Sequence, residues 1–389
     1  LDELNVSQRI RDLPPYLFAE IDRSIEEKRE QGIDIISFGV GDPDLPTPAH
    51  IVDRLCQEAR DPQNHRYPSY LGMRQYREAA AAWFSQRFGV DLDPEGEVLA
   101  LIGSKEGIAH FPLAWLDTED IALVPDPAYP VYRTATLFCG GRSVEVPLLE
   151  ENGFLPDLSA IPQQVWRQAR VIFLNYPNNP TTATADIDFF EELVDYALNN
   201  QLIIAHDLAY SEITYDGYQA PSLLQVPRAK EIGVEFHSLS KTYNMTGWRV
   251  GFAVGGREII DVFGRVKTNI DSGVFNAVQH AAIAALEGPQ DCVEENRRIY
   301  QHRRDRLLKG LRDIGWEVPT PKATLYVWMK VPPGYDSEGF TRDLLEKAAV
   351  VVAPGSAYGS KGEGFVRFSL TLPDYRLDEG VERIKKAFS

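Results

Sequence analysis

The chain has 389 residues, a formal net charge of −17, and 44% hydrophobic, 25% charged and 11% aromatic residues, the composition of an ordinary globular protein of about two to three domains. The acidic balance opposes nucleic acid or an anionic membrane as a partner, because both would be repelled. Three scattered cysteines (Cys56, Cys139, Cys292) and seven histidines form no CxxC, HxxxH or HExxH spacing, so no metal site is expected and a reducing compartment fits.

In chain order, the N-terminus opens with charged, helix-like sequence and not a signal peptide. No apolar run reaches the ~20 residues of a membrane span, so a cytoplasmic location is expected. An apolar stretch at 35–40 reads as a strand able to join either of two lobes. From residue 98 a βα rhythm sets in. Strands at 98–102, 121–124 and 171–174 lead into helices beginning near 104, 129 and 186, and strands at 202–205, 235–238 and 250–254 continue the series. Near-continuous apolar strands alternating with helices predict an α/β fold whose mostly parallel sheet is covered on both faces. The remainder reads as a smaller α+β lobe: a long charged helix over 289–313, strands at 325–329, 350–353 and 364–370, and helices over 337–347 and 376–388. The expected division is 1–45 as an arm and part of the small domain, 46–288 as the large domain, and 289–389 as the rest of the small one.

Ligands of open parallel sheets sit beyond the carboxyl ends of the strands, so the segments there matter most. The first predicted strand runs into Gly103-Ser104-Lys105-Glu106-Gly107, a glycine-bearing turn at a helix start that suits a phosphate. Later strands run into Asn178-Asn179-Pro180-Thr181-Thr182 and His206-Asp207-Leu208-Ala209-Tyr210. Another leads to Ser238-Leu239-Ser240-Lys241, with Arg249 eight positions beyond the lysine. Each has an ordinary reading alone: a helix cap, a turn, a strand-end acid, a solvated lysine. Four together at one sheet edge do not.

This ordered set, GSKEG, NNPTT, HDLAY and SLSKTYNMTGWRVG, resembles the fold-type-I pyridoxal-phosphate (PLP) aminotransferases related to aspartate aminotransferase, over nearly the whole chain. The resemblance implies that Lys241 is the Schiff-base lysine and that Asp207 pairs with the pyridine nitrogen. It implies that Asn179 and Tyr210 bond the ring oxygen and that Tyr129 stacks on the ring. It assigns the phosphate to the backbone N–H groups of Ser104 and Lys105, the Ser238 and Ser240 hydroxyls and Arg249, joined by Tyr67 from the neighbouring subunit of a homodimer with shared active sites. Arg367, in FVRFSL, matches the grip on the substrate α-carboxylate, with Gly41 completing that site. One residue departs from the pattern. Thr182 stands where the family has glycine, which implies a modified turn that leaves cofactor binding intact.

Three further segments resemble the LL-diaminopimelate aminotransferases. PPYLFAEI brings Tyr16 to the substrate's distal end, GSK brings Lys105 to a distal carboxylate, and FNAVQ brings Asn276 as a partner-subunit contact. The expected reaction is transfer of an amino group between LL-2,6-diaminopimelate and 2-oxoglutarate. Against that substrate, YPSYLG carries Tyr70 and Leu71 where relatives tend to have an acidic residue. Aspartate, alanine or an aromatic amino acid stands as the alternative donor, and a PLP-dependent β-lyase of the same fold as the alternative enzyme. A PLP-sensing DNA-binding regulator is disfavoured by the acidity and by the lack of room for a helix-turn-helix before the first motif.

Overall fold

The structure, a computed structural model, describes residues 5–13 and 17–388, apart from the side chains of 17–22 and 24. Its twelve strands are β1 Ile36–Ser37, β2 Val98–Leu101, β3 Ile121–Asp126, β4 Arg142–Pro147, β5 Ala169–Leu174, β6 Ile203–Asp207, β7 Gly233–Ser238, β8 Gly251–Gly255, β9 Tyr326–Lys330, β10 Val350–Val351, β11 Ala353–Pro354 and β12 Phe365–Ser369. Seven of them form one sheet in the order β2-β8-β7-β6-β5-β3-β4. Only β8 runs against its neighbours; the pairs from β7 to β4 are all parallel.

The apolar strands work by their two-residue period. In β3, Ile121 and Leu123 face one core while Ala122 and Val124 face another. In β5, Ile172 and Leu174 join the first and Val171 and Phe173 the second. Both faces are therefore covered, as expected for parallel strands joined through helices. The helix Ile187–Asn200 begins as predicted, because the Asp186 carboxylate accepts from the Phe189 N–H at 3.0 Å. β4 was not anticipated. It is an edge strand with one buried residue, so it carries no apolar run to read.

A third core gathers Ile36, Phe38, Tyr300, Leu307, Val327, Phe340, Val350, Phe368 and Ile384. There β11, β12 and β9 form an antiparallel sheet, and β1 pairs in parallel with β10. The strand at 35–40 thus joins the C-terminal lobe, and on this pairing we propose that 1–45 and 289–389 form one domain around 46–288. The single strand expected at 350–353 is two, since Val350–Val351 and Ala353–Pro354 belong to different sheets.

Candidate active site

The parallel strands deliver their carboxyl ends to one edge, and β2, two reversals from β7, ends at that edge as well. β8 runs the other way, so the residues before it, Arg249 among them, also lie there. A cavity of about 380 Å³ opens at this edge. Its lining includes Gly41, Ser104, Lys105, Tyr129, Asn179, Asp207, Tyr210, Ser238, Ser240, Lys241, Arg249 and Arg367, every own-subunit residue singled out in the sequence except Tyr16. Tyr16 lies outside the described residues. Polar clefts of about 410 and 870 Å³ elsewhere hold no lysine or nucleophile beside a buried acid.

Backbone conformation shapes the floor. Gly103 has φ +77°, and a Cβ there would come within 2.3 Å of the Arg249 guanidinium, so only glycine lets that arginine lie across the turn. Arg249 itself takes a left-handed φ of +53° and donates to the Thr246 carbonyl at 2.8 Å. Ser238 Oγ accepts from the Ser240 N–H at 3.2 Å and caps the short helix Leu239–Thr242 that carries Lys241. Ser104, Lys105, Ser238, Ser240 and Arg249 all line the cavity, with the Arg249 guanidinium beside Gly103, a set of groups suited to a phosphate.

Asp207 ends β6 and is buried. Tyr132 donates to its Oδ2 at 2.9 Å, whereas Oδ1 is buried with no hydrogen-bond partner. Burial lifts its pKa to about 6, against opposing pulls from the Tyr132 hydrogen bond and from His206. Leaving such an atom unmatched costs about 1–3 kcal/mol, and a protonated ring nitrogen is the kind of donor that would satisfy it. Asn175 fixes the same corner: its amide donates to the Asp207 carbonyl at 2.7 Å and its oxygen accepts from the Asn179 N–H at 2.7 Å.

Lys241 Nζ donates to the Gly41 carbonyl at 2.8 Å. Its pKa is lowered by burial foremost, with Arg367 and Arg249 adding to the effect and Tyr326 and Asp42 opposing it. Lys105 is likewise lowered by burial and by Arg249, and its ammonium lies 5.7 Å from the centre of the Tyr129 ring. Arg367, only 2% exposed, donates to Asn179 Oδ1 at 2.7 Å and to the Gly39 carbonyl at 2.8 Å. The Tyr326 ring lies under it, 4.0 Å from the guanidinium carbon.

Two residues assigned to the partner subunit do not line this cavity. Tyr67 is 87% exposed, and Asn276 opens the helix Asn276–Glu287 with its Oδ1 buried and unmatched among the described residues. Tyr70 and Leu71 are also exposed, away from the cavity. Thr182 keeps a left-handed φ of +63°, with its N–H donating to the Asn178 carbonyl at 3.0 Å. Tyr132 and Tyr326 escaped the sequence reading. Tyr132 is one helical turn beyond Tyr129 in DPAYPVY, a spacing that placed it within reach; nothing near Tyr326 marks it.

Comparison with known proteins fits this geometry. The family Aminotransferase class I and II matches residues 33–384. The LL-diaminopimelate aminotransferase of Moorella thermoacetica is 56% identical over 380 residues, covering 98% of this chain and 97% of that one. Among solved structures, substrate-bound BacF from Bacillus subtilis superposes with a TM-score of 0.95 at 37% identity, covering 98% of both chains. A probable N-succinyldiaminopimelate aminotransferase from Thermus thermophilus gives 0.90 at 40% identity, over 95% of this chain and 99% of the other. With this family match spanning the cavity and all its lining strands, the chain belongs to the class I and II aminotransferases.

Proposed function

We propose that the cavity binds pyridoxal phosphate on Lys241 and that the enzyme moves the amino group of LL-diaminopimelate to 2-oxoglutarate. The observation that carries the cofactor assignment is the unmatched Asp207 Oδ1 in the same cavity as a lysine of lowered pKa. The substrate rests on Lys105 at the cavity wall and on the 56% identity to the Moorella enzyme.

The chemistry supplied by pyridoxal phosphate is an aldehyde for the amino group and a cationic ring that draws off the electron pair left at the substrate Cα. The residues do the rest. The backbone N–H groups of Ser104 and Lys105, the Ser238 and Ser240 hydroxyls and Arg249 would hold the phosphate, Tyr129 would cover the ring face, and Asn179 and Tyr210 would hydrogen-bond the ring oxygen. Asp207 would accept from the ring nitrogen through its unmatched Oδ1, since Tyr132 already occupies Oδ2. Arg367 takes the α-carboxylate in a two-pronged grip, which fixes the Cα–H bond relative to Lys241. Burial lowers the Lys241 pKa and so favours the neutral amine, the form that could take a proton from the substrate Cα. Lys105 meets the distal carboxylate, a group common to diaminopimelate and 2-oxoglutarate, so one cation serves both halves of the exchange. Tyr67 and Asn276 act from the partner subunit of a homodimer, and Tyr16 approaches the distal end of the substrate.

A donor screen with 2-oxoglutarate as acceptor tests this reading. Glutamate should form fastest from LL-diaminopimelate, well ahead of the meso isomer, aspartate, alanine and phenylalanine. A faster rate with any of these would replace the substrate assignment.

A further inference from the structure

Tyr326 sits at the start of β9 with its phenol inside the cavity, and none of the cofactor or substrate groups above accounts for it. Its hydroxyl is 3.0 Å from the Tyr210 hydroxyl, and the two rings meet edge to face with centroids 5.8 Å apart. Its ring face supports the Arg367 guanidinium at 4.0 Å. A Cβ on Gly41 would fall 2.1 Å from its hydroxyl, so the glycine also makes room for the phenol.

We propose that Tyr326 is a positioning residue with two separable parts: its hydroxyl donates to Tyr210 and so aims the Tyr210 proton at the ring oxygen of the cofactor, and its ring props Arg367 for the substrate carboxylate. The inference rests on the reading of the cavity as a pyridoxal-phosphate site. Either hydroxyl could donate in the free site, but a ring oxygen that accepts from Tyr210 leaves Tyr326 as the donor in the shared bond, and the surrounding charges agree with that direction. Burial raises the Tyr326 pKa, but Arg367 and Lys241, which face it, and the bond to Tyr210 outweigh burial and lower it; Asp42 opposes them. Tyr210 faces Asp207 as well as Arg367, and burial with its tyrosine neighbour holds its proton far more firmly. Tyr210 is left with its own hydrogen for a third acceptor, the place the ring oxygen would take. Tyr358 and Tyr129 also face Arg367.

Two substitutions separate the parts. In Tyr326→Phe the ring stays and the hydroxyl goes. The pH midpoint of the visible absorbance of the PLP-loaded enzyme should rise by roughly half a unit or more, as a weakened Tyr210 bond gives less support to negative charge on the ring oxygen. The dissociation constant for succinate, an unreactive dicarboxylate, should change by less than about twofold. In Tyr326→Leu the ring goes as well, and succinate binding should weaken by about tenfold or more as Arg367 loses its support. Tyr210→Phe should shift the midpoint in the same direction, and the double variant Tyr210→Phe/Tyr326→Phe should shift it no further. An unchanged midpoint in Tyr326→Phe, or additive shifts in the double variant, would overturn the hydroxyl role; unchanged succinate binding in Tyr326→Leu would overturn the ring role. Failure of the wild-type protein to take up PLP is a different result and would fall on the cofactor reading itself.

Discussion

Thr182 shows how local strain is carried at this site. A β-branched residue at φ +63° is uncommon, and the left-handed conformation costs a non-glycine residue about 1–2 kcal/mol. Glycine would relieve that strain but enlarge the unfolded ensemble by about 0.4–1 kcal/mol. Thr182→Gly should therefore stabilise the protein by a net ~0.5–1 kcal/mol in urea unfolding, with PLP affinity unchanged. Asp207 makes a larger, pH-dependent contribution. With its pKa raised from 3.8 to about 6 by burial, the folded, cofactor-free protein holds this proton more tightly than the unfolded chain does. Its contribution is greatest below pH 4 and is lost as pH rises through about 6, by roughly 3 kcal/mol at most. Relative to Asp207→Asn, cofactor-free wild type should thus lose on the order of 2–3 kcal/mol between pH 4 and pH 7 in urea titrations, and saturating PLP should restore it. A pH-independent difference between the two proteins would contradict this.

Among elements, the β6–β7 pair carries a buried charge network behind the site. His206 and Glu235 are register partners, and His206 Nδ1 lies 2.9 Å from Glu235 Oε1. The same carboxylate accepts from Ser222 Oγ and the Leu223 N–H, both at 2.7 Å, and His237 lies 3.4 Å from its other oxygen. Burial alone would raise the Glu235 pKa, but the two histidines outweigh it and bring it to about 2. This contribution has the opposite sign to that of Asp207: it is present above the usual glutamate value and is lost as pH falls toward 2. Glu235→Gln should cost about 3 kcal/mol at pH 7 by urea unfolding, since it leaves a buried imidazole without its partner. The element scale is also where the sequence was most legible. Apolar strands and the turns at their ends could be read because both faces of the sheet are buried and each turn carries unusual residues. β4 could not, being exposed at an edge. Tyr326 could not either, because its meaning comes from Tyr210, 116 residues away, and tertiary packing alone brings the two together. Tyr132 lay beside a recognised residue, yet its bond to Asp207 depends on how the helix Val131–Phe138 sits against β6.

At the scale of the whole molecule, the cavity is lined from both lobes: Gly41, Tyr326 and Arg367 come from one, and the strand ends of the seven-stranded sheet from the other. If Arg367 binds the substrate carboxylate as proposed, binding is tied to the relation between the two sets of elements. The proposed dimer adds a third source of side chains. If Tyr67 serves the partner's phosphate, mixing Tyr67→Ala with Lys241→Ala at limiting PLP should create heterodimers with one intact site of two, restoring about a quarter of wild-type activity after random exchange. Activity that stays at the level of the unmixed variants would place Tyr67 outside the partner's site. Every proposed role in the cavity converges on Lys241 as the point of covalent attachment. Borohydride reduction of the PLP-loaded protein, followed by peptide mass mapping, tests that most directly. A pyridoxyl adduct on Lys241 and on no other lysine is the predicted result; an adduct on Lys105, or no stable adduct at all, would contradict it.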